Sequence, residues 1–177
     1  TIVTEVKGNP NIAAMGVDVS SGNMEGKEVR FGSGASAFWS IATTAISTGS
    51  VNSMHDSYMP LSGMYMLLAM MVNSFYGGVG VGILNYFIFI ILAVFISGLM
   101  IGRTPEFFGK KVEAKEMKIA MIIALLNTLL ILMGTALSVG FPSLTMHTLN
   151  NPSYHGFSEM LYEFTSSSAN NGSGFEG

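Results

Sequence analysis

Cysteine is absent from this sequence and charged residues are scarce, and each shortage narrows the classes of protein that it can encode. Without cysteine there is neither a disulfide framework nor a thiolate metal site. Aspartate, glutamate, lysine and arginine make up 11% of the 177 residues, whereas soluble domains typically carry about 25%. With a net charge of −3 there is no basic surface of the kind that nucleic acid requires, so no nucleic-acid partner is expected. The mean hydropathy of +0.49 instead favours a protein that lies in the lipid bilayer.

Motifs for nucleotide chemistry are missing as well. The glycine run at 77–82 follows a predicted helix rather than a strand, does not fit G-x-G-x-x-G and lacks the Gly-Lys-Ser/Thr ending of a phosphate-binding loop. The chain also lacks an Asp-Lys-Thr-Gly phosphorylation motif. We therefore expect no ATP hydrolysis by this chain itself and no organic cofactor.

The few charges are bunched, which leaves long uncharged stretches between them. Residues 31–54, 57–102 and 119–158 contain 24, 46 and 40 residues without a charged side chain. A helix needs about 20 apolar residues to cross the hydrocarbon core of a bilayer. These stretches predict an all-α integral membrane protein.

The order of the charged and uncharged segments predicts a topology. Residues 61–102 read as an interrupted transmembrane helix and residues 119–141 as a second transmembrane helix. Residues 103–118, between them, hold five of the eight lysines and arginines, and this bias is typical of a cytoplasmic loop. The polar residues 1–34 are then an extracytoplasmic loop.

A short apolar segment at 35–46 leads into a hydroxyl-rich run at 43–52. As a helix of about 12 residues it would extend roughly 18 Å, too little to cross the bilayer. Irregular backbone at membrane depth has to be buried in protein or line a wet path. We therefore interpret residues 35–60 as a re-entrant helix followed by an ion-coordinating loop.

The same pattern returns near the end of the chain. A shift of 123 residues superposes 38–39 on 161–162, 43–44 on 166–167 and 48–50 on 171–173. In each copy a short helix, at 35–46 or 157–168, leads into a hydroxyl-rich run and a Gly-Ser pair. Internal repeats indicate a structure built from copies of one unit, and transporters use such repeats to form a central site.

Loops rich in glycine, serine, threonine and asparagine can turn successive carbonyl groups toward one axis, where the oxygens replace the hydration shell of a potassium ion. Gly49 and Gly172 would permit backbone angles that other residues resist. The candidate potassium-binding residues are Ser47, Thr48, Gly49, Ser50, Asn170, Asn171, Gly172 and Ser173. The alternative is that these residues are caps and turns ending two buried helices.

The glycine run interrupts an apolar stretch, and such a break is tolerated where it lines a cavity. Gly77, Gly78, Gly80 and Gly82 are therefore candidates for a flexible constriction below the ion-binding loop. Close packing of helices through small residues is the alternative.

Two sets of polar residues are expected at the surface. His55 and Asp56 lack the spacing of a metal site or a catalytic triad, and we expect them to be hydrogen-bonded at the membrane boundary. Glu159 and Glu163 lie four residues apart on one face of a helix and are interpreted as a solvated polar face.

Five segments, taken in order, resemble one known family. They are NMEGKEVRFG at 23–32, GSVNSMHDS at 49–57, GGVGVG at 77–82, GLMIGRTPEFFGKK at 98–111 and SANNGS at 168–173. The sequence thereby resembles the potassium-binding A subunit of the bacterial Kdp potassium-transporting P-type ATPase. Members of that family often have cysteine where this chain has Thr48, a change that a backbone-carbonyl ligand should tolerate.

The resemblance implies four helix–pore-helix–helix repeats around a potassium selectivity filter. Residues 35–60 would be the pore helix and filter of the third repeat, and residues 142–177 the outer loop, pore helix and filter of the fourth. The glycine run would lie beneath the filter.

The resemblance also implies a function and partners. The A subunit selects potassium from outside and passes it to a separate B subunit that hydrolyses ATP, in a complex with other small Kdp subunits. Residues 103–118 would face the B subunit. The implied location is the bacterial inner (plasma) membrane, which the subunit crosses several times. A stand-alone potassium channel or ion-coupled potassium transporter of the same architecture is the alternative.

Overall fold

Helices dominate the part of the chain that the computed structural model describes, residues 1–74, 76–145, 147–151 and 153–175. In chain order its elements are α1 (Ile2–Lys7), α2 (Pro10–Ala14), α3 (Gly32–Ala45), α4 (Pro60–Val72), α5 (Val81–Ile101), β1 (Glu106–Phe107), β2 (Lys110–Lys111), α6 (Ala114–Gly140), α7 (Pro142–Thr145) and α8 (Ser153–Ser168). A 3₁₀ turn at His55–Ser57 lies between α3 and α4. Helices make up 63% of the structure, which confirms the predicted all-α class.

The helices α5 and α6 are long and apolar enough to cross a membrane. Their 21 and 27 residues correspond to about 32 Å and about 41 Å. Burial inside the protein covers 0% of the most apolar window of α5 and 17% of that of α6. Because a core helix of a soluble protein would be largely buried, the open apolar surfaces of these two helices fit contact with lipid or with further membrane helices.

The interrupted transmembrane helix expected over 61–102 consists of two helices, α4 and α5. The first ends at Val72, before the glycine run, because Asn73 adopts a left-handed conformation with a φ of 41°. The second begins after Gly80, whose φ is 91°. The side chain of Asn85, in the first turns of α5, donates to the carbonyl of Asn73 at 2.8 Å and ties the two helices together.

The predicted cytoplasmic loop is shorter than expected because α6 begins inside it. Glu113 and Glu116 form a capping box, in which each side chain accepts from the backbone N–H of the other residue. Such a box satisfies N–H groups that have no partner within the helix. The helix therefore begins at Ala114, and the preceding residues form a hairpin that pairs Glu106 with Lys111.

The amino-terminal segment 1–34, expected to be an irregular polar loop, contains α1 and α2. Glu5 of α1 is 0% exposed and forms an ion pair of 3.0 Å with Lys27. Its other carboxylate oxygen accepts from Met59 N at 2.8 Å and from the hydroxyl of Ser62 at 2.6 Å. Because both oxygens are partnered inside the protein, the carboxylate holds α1 against the start of α4.

The core lies where α3, α4 and α8 come together. Its buried apolar members are Ala37, Tyr58, Met66, Met70, Tyr162, Ala169 and Phe175. The rings of Tyr162 and Phe175 stack with centroids 4.6 Å apart. Since Ala37 of α3, Tyr162 of α8 and Ala169, directly after α8, belong to this cluster, the core holds α3 against α8 and fixes the start of the segment that follows α8.

The contact between α6 and α8 depends on a glycine. A Cβ built on Gly134 would overlap the ring of Phe164, whereas one built on Gly140 of the same helix meets nothing within 4 Å. We predict that Gly134→Ala destabilises the protein by about 1–3 kcal/mol through overpacking. The thermal unfolding midpoint of the purified protein measures the effect.

Gly140→Ala is the matched control, because it makes the same change in the same helix where a Cβ meets nothing within 4 Å. It should leave the midpoint unchanged or raise it. Equal midpoints for the two variants would contradict the close packing of α6 against α8.

Candidate ion-binding site

The segments that follow α3 and α8 have the same local backbone structure. We call residues 46–50 the α3 segment and residues 169–173 the α8 segment. Ser47 and Asn170, 123 residues apart, are both left-handed, with φ values of 55° and 56°. Equivalent hydrogen bonds follow, from Thr48 N to Thr43 O at 3.0 Å and from Asn171 N to Ser166 O at 2.9 Å. The repeat seen in the sequence is therefore also a repeat of conformation.

The two segments meet at Gly49 and Gly172. A Cβ built on Gly49 would lie 2.8 Å from the carbonyl carbon of Gly172, 2.9 Å from the carbonyl oxygen of Asn171 and 3.0 Å from that of Gly172. Gly172 has a φ of 91°, as predicted, whereas Gly49 is not left-handed. Gly49 is needed for a different reason, because any side chain there would collide with the α8 segment.

Exposure divides the eight candidate residues into two groups. The exposed group comprises Thr48, Gly49, Ser50, Asn170 and Gly172. The buried group comprises Ser47, Asn171 and Ser173, each at most 7% exposed.

The buried group links the two segments through reciprocal hydrogen bonds. The hydroxyl of Ser47 donates to the carbonyl of Ala169 at 2.5 Å. The amide group of Asn171 donates in the other direction, to the carbonyl of Thr43 at 3.1 Å. Its oxygen accepts from the N–H of Ser173 at 3.0 Å and from the hydroxyl of the same residue at 2.5 Å. These side chains hold the backbones together and are engaged within the protein.

Two exposed candidates are anchored through their carbonyl groups. The carbonyl of Thr48 accepts from the hydroxyl of Thr43 at 2.6 Å, and the carbonyl of Ser50 accepts from the indole N–H of Trp39 at 3.0 Å. A carbonyl oxygen has two lone pairs. Each of these oxygens therefore keeps one acceptor position for a cation.

The glycine run is partly in contact with the α3 segment. Gly78 N donates to the carbonyl of Ile46 at 2.7 Å, and a Cβ on Gly77 would lie 3.1 Å from atoms of Ile46 and Ser47. Gly80 has open space around it, and Gly82 is buried at the start of α5. The structure thus brings Gly77 and Gly78, but not Gly80, to the candidate site.

The expectation that His55 and Asp56 are surface residues is wrong. They are 2% and 7% exposed, because the turn that carries them is covered by α8. The Nδ1 atom of His55 lies 2.8 Å from the hydroxyl of Tyr162. These partners are 107 residues apart, so no local sequence pattern could have revealed the contact.

Glu159 was likewise expected in a solvated face but is 5% exposed. Its carboxylate accepts from the backbone N–H of Asn150 at 3.2 Å and from that of Asn151 at 3.1 Å. Glu163 is exposed, and its carboxylate accepts from the N–H of Phe175 at 2.9 Å. Both acids therefore anchor the loops at the two ends of α8.

Carboxylate, imidazole and thiolate ligands do not converge in this structure. Over the described residues, no group of three or more histidine, cysteine, aspartate or glutamate side chains is placed to hold a metal ion. The groups that converge at Gly49 are carbonyl oxygens, which are ligands for hard monovalent cations.

The sequence model of one protein family, described as the potassium-transporting ATPase A subunit, matches residues 1–177. The chain belongs to this family. Its membership confirms the resemblance stated above.

Three relatives are each named potassium-transporting ATPase potassium-binding subunit. The protein from Flavobacterium johnsoniae is 66% identical and matches 100% of this chain. Those from Parabacteroides distasonis and Rhodospirillum centenum are 62% and 54% identical over 98% of the chain. The chain covers 33%, 32% and 30% of these three relatives, about a third of their length.

The buried histidine makes stability depend on pH. Burial, reinforced by the positive charge of Lys27, lowers the pKa of His55 from 6.5 to about 4. Between these values the unfolded chain binds a proton at this residue and the folded chain does not. The free energy of unfolding should therefore fall, by up to about 3 kcal/mol, as the pH drops from about 6.5 to about 4.

The variant His55→Asn tests this prediction, because asparagine keeps a side-chain N–H donor but does not titrate. We expect the thermal midpoint to fall less steeply with acid in the variant than in the unmodified protein. Parallel pH profiles would show that His55 is not the responsible group.

Proposed function

We propose that this chain is part of the potassium-selective binding and translocation subunit of an ATP-driven, high-affinity potassium uptake complex. The observation that carries the proposal is the meeting of two repeated segments at Gly49 and Gly172. There the carbonyl oxygens of Asn171 and Gly172 lie around a glycine that has no room for a side chain. Backbone oxygens arranged in this way can replace the hydration shell of a potassium ion.

Potassium is the substrate in this proposal. The eight candidate residues have two roles, since some supply ligands and others hold the two segments in place. The exposed group, with the carbonyl groups of the buried group, would supply the oxygen ligands. The buried side chains would keep the two segments at a fixed separation, because Ser47 and Asn171 bond across the contact. This division retains all eight residues in the site but gives them two different tasks.

The glycine run would control what leaves the site. Gly77 and Gly78 contact the α3 segment through the carbonyl of Ile46. A small movement of this run would change the space next to the filter, so we propose that it restricts passage of the ion straight through the membrane. Gly80 and Gly82 would act as hinges of the same run, since Gly80 is left-handed.

The energy for uptake would come from a different chain. The relatives are named as subunits of a potassium-transporting ATPase, and this chain contains no phosphate-binding loop. We therefore propose that a B subunit hydrolyses ATP and that further small Kdp subunits complete the assembly in the bacterial inner membrane. The charged residues 103–118 would face the B subunit.

The substitution Gly49→Asp tests the assignment of the filter. A carboxylate cannot fit beside the α8 segment and would bring a negative charge among the carbonyl ligands. We predict that the Michaelis constant for potassium rises by roughly tenfold or more and that discrimination against rubidium and ammonium weakens. The measurement is potassium-stimulated ATP hydrolysis and uptake by the complete complex in vesicles.

Gly140→Asp is the matched control, since the same change is made where a Cβ meets nothing within 4 Å. It should leave the constants unchanged. Unaltered constants in Gly49→Asp would exclude the filter assignment. Uptake by vesicles that persists without ATP would instead favour a channel or an ion-coupled transporter.

A further inference from the structure

The hydroxyl of Tyr162 connects the 3₁₀ turn at His55–Ser57 to the α8 segment. Tyr162 is 0% exposed. Its hydroxyl oxygen lies 2.8 Å from Nδ1 of His55 and 2.9 Å from the hydroxyl oxygen of Ser173. The side chain therefore reaches from a turn outside the candidate site directly to a residue within it.

The direction of these hydrogen bonds follows from the number of protons available. A hydroxyl group donates one hydrogen bond, and Ser173 donates its proton to the side-chain oxygen of Asn171 at 2.5 Å. Ser173 must then accept from Tyr162, which leaves Tyr162 to accept from His55. The network thereby assigns the Nδ1–H tautomer to His55.

The Nε2 atom of His55 agrees with this assignment. It is buried, and among the described residues it has no hydrogen-bond partner. With the proton at Nδ1, His55 donates to the hydroxyl of Tyr162, whereas a proton at Nε2 would have no acceptor among the described residues. The proton is therefore better placed at Nδ1, where the hydroxyl of Tyr162 accepts it.

The series of hydrogen bonds ends at the α3 segment. Asn171 accepts from Ser173 and donates through its amide group to the carbonyl of Thr43, at 3.1 Å. Thr43 in turn donates to the carbonyl of Thr48 at 2.6 Å. The hydrogen bonds thus run from His55 through side chains of α8 and the α8 segment to Thr43 of α3, and through the Thr43 side chain to the carbonyl of Thr48.

In both repeats an aromatic side chain of the short helix is hydrogen-bonded to the serine of the Gly-Ser pair. Trp39 is 123 residues before Tyr162, and it donates to Ser50, the equivalent of Ser173. Trp39 is 44% exposed, whereas Tyr162 is buried, stacks on Phe175 and meets the ring of His55 at a centroid distance of 6.2 Å. The side chain of Tyr162 is therefore held in position by the rings of Phe175 and His55.

We propose that Tyr162, held by His55, is a positioning residue that sets the potassium selectivity of the site. By donating to Ser173 it fixes Asn171, and with Asn171 the carbonyl groups that lie around Gly49. This inference rests on the proposed function and extends it to two residues that do not themselves bind the ion. Its consequence is that selectivity depends on a hydroxyl group outside the ion-binding segments.

Tyr162→Phe in the complete complex removes this hydroxyl and keeps the ring. We expect the Michaelis constant for potassium to rise roughly tenfold, as for the loss of one buried hydrogen bond, and discrimination against rubidium to weaken. The maximal rate should stay within about twofold, because the ring still fills the core. Tyr154→Phe is the control on the same helix, since Tyr154 is 90% exposed and should have no effect.

A pair of substitutions at His55 separates positioning from general stability. His55→Leu removes the donor to Tyr162 and should shift the potassium constant and the selectivity in the same direction. His55→Asn keeps an N–H donor and should restore both values toward those of the unmodified complex. This pair of variants tests whether the hydrogen bond to Tyr162 sets the selectivity even if the Tyr162→Phe complex does not assemble.

Two results would overturn the inference. One is an unchanged potassium constant and selectivity in Tyr162→Phe while Gly49→Asp remains defective, which would leave the proposed function intact. The other is a loss of maximal rate and of assembled complex with unchanged selectivity, which would make the network merely structural. If Gly49→Asp also has no effect, the proposed function itself fails.

Discussion

Backbone that leaves helical geometry at membrane depth has to find hydrogen-bond partners within the protein, because each unsatisfied N–H or C=O group costs several kcal/mol in hydrocarbon. The segments after α3 and α8, which we propose to lie at that depth, bond to each other and to their own helices. Ser47 donates to one segment and Asn171 to the end of the other helix. Each segment therefore supplies a hydrogen-bond partner to the other repeat, and the contact supports the fold as well as the proposed ion site.

The amino-terminal segment 1–34 supports this contact although it does not belong to the candidate site. The buried carboxylate of Glu5 joins the amino-terminal helix to the start of α4, and Lys27, its ion-pair partner, lies 4.0 Å from the ring centroid of Tyr58. Tyr58 in turn meets the ring of His55. Loss of one member of a buried ion pair is strongly destabilising because it leaves the other charge unpaired. The polar segment 1–34 is therefore part of the support behind the site.

Composition and the spacing of charges were sufficient to predict the long and the short helices, and the match of residues under a shift of 123 positions predicted the repeat. The lengths of the apolar stretches predict the positions of α5 and α6 along the chain. A Gly-Ser pair after each short helix identifies the two candidate segments. The sequence could not show the reason for Gly49, because its steric limit comes from a segment more than 120 residues away. The burial of His55, Glu5 and Glu159 was missed for the same reason, since each is buried by partners distant in the chain or by loops without a periodic pattern.

In the proposed function, carbonyl groups of the α3 and α8 segments bind potassium. The most direct measurement is an electron cryo-microscopy map of the complete complex, prepared with potassium and compared with one prepared in sodium alone. We predict ordered cation density, present only with potassium, among the carbonyl oxygens of residues 47–50 and 170–173. Potassium-dependent density elsewhere in the subunit, with none between these segments, would contradict it.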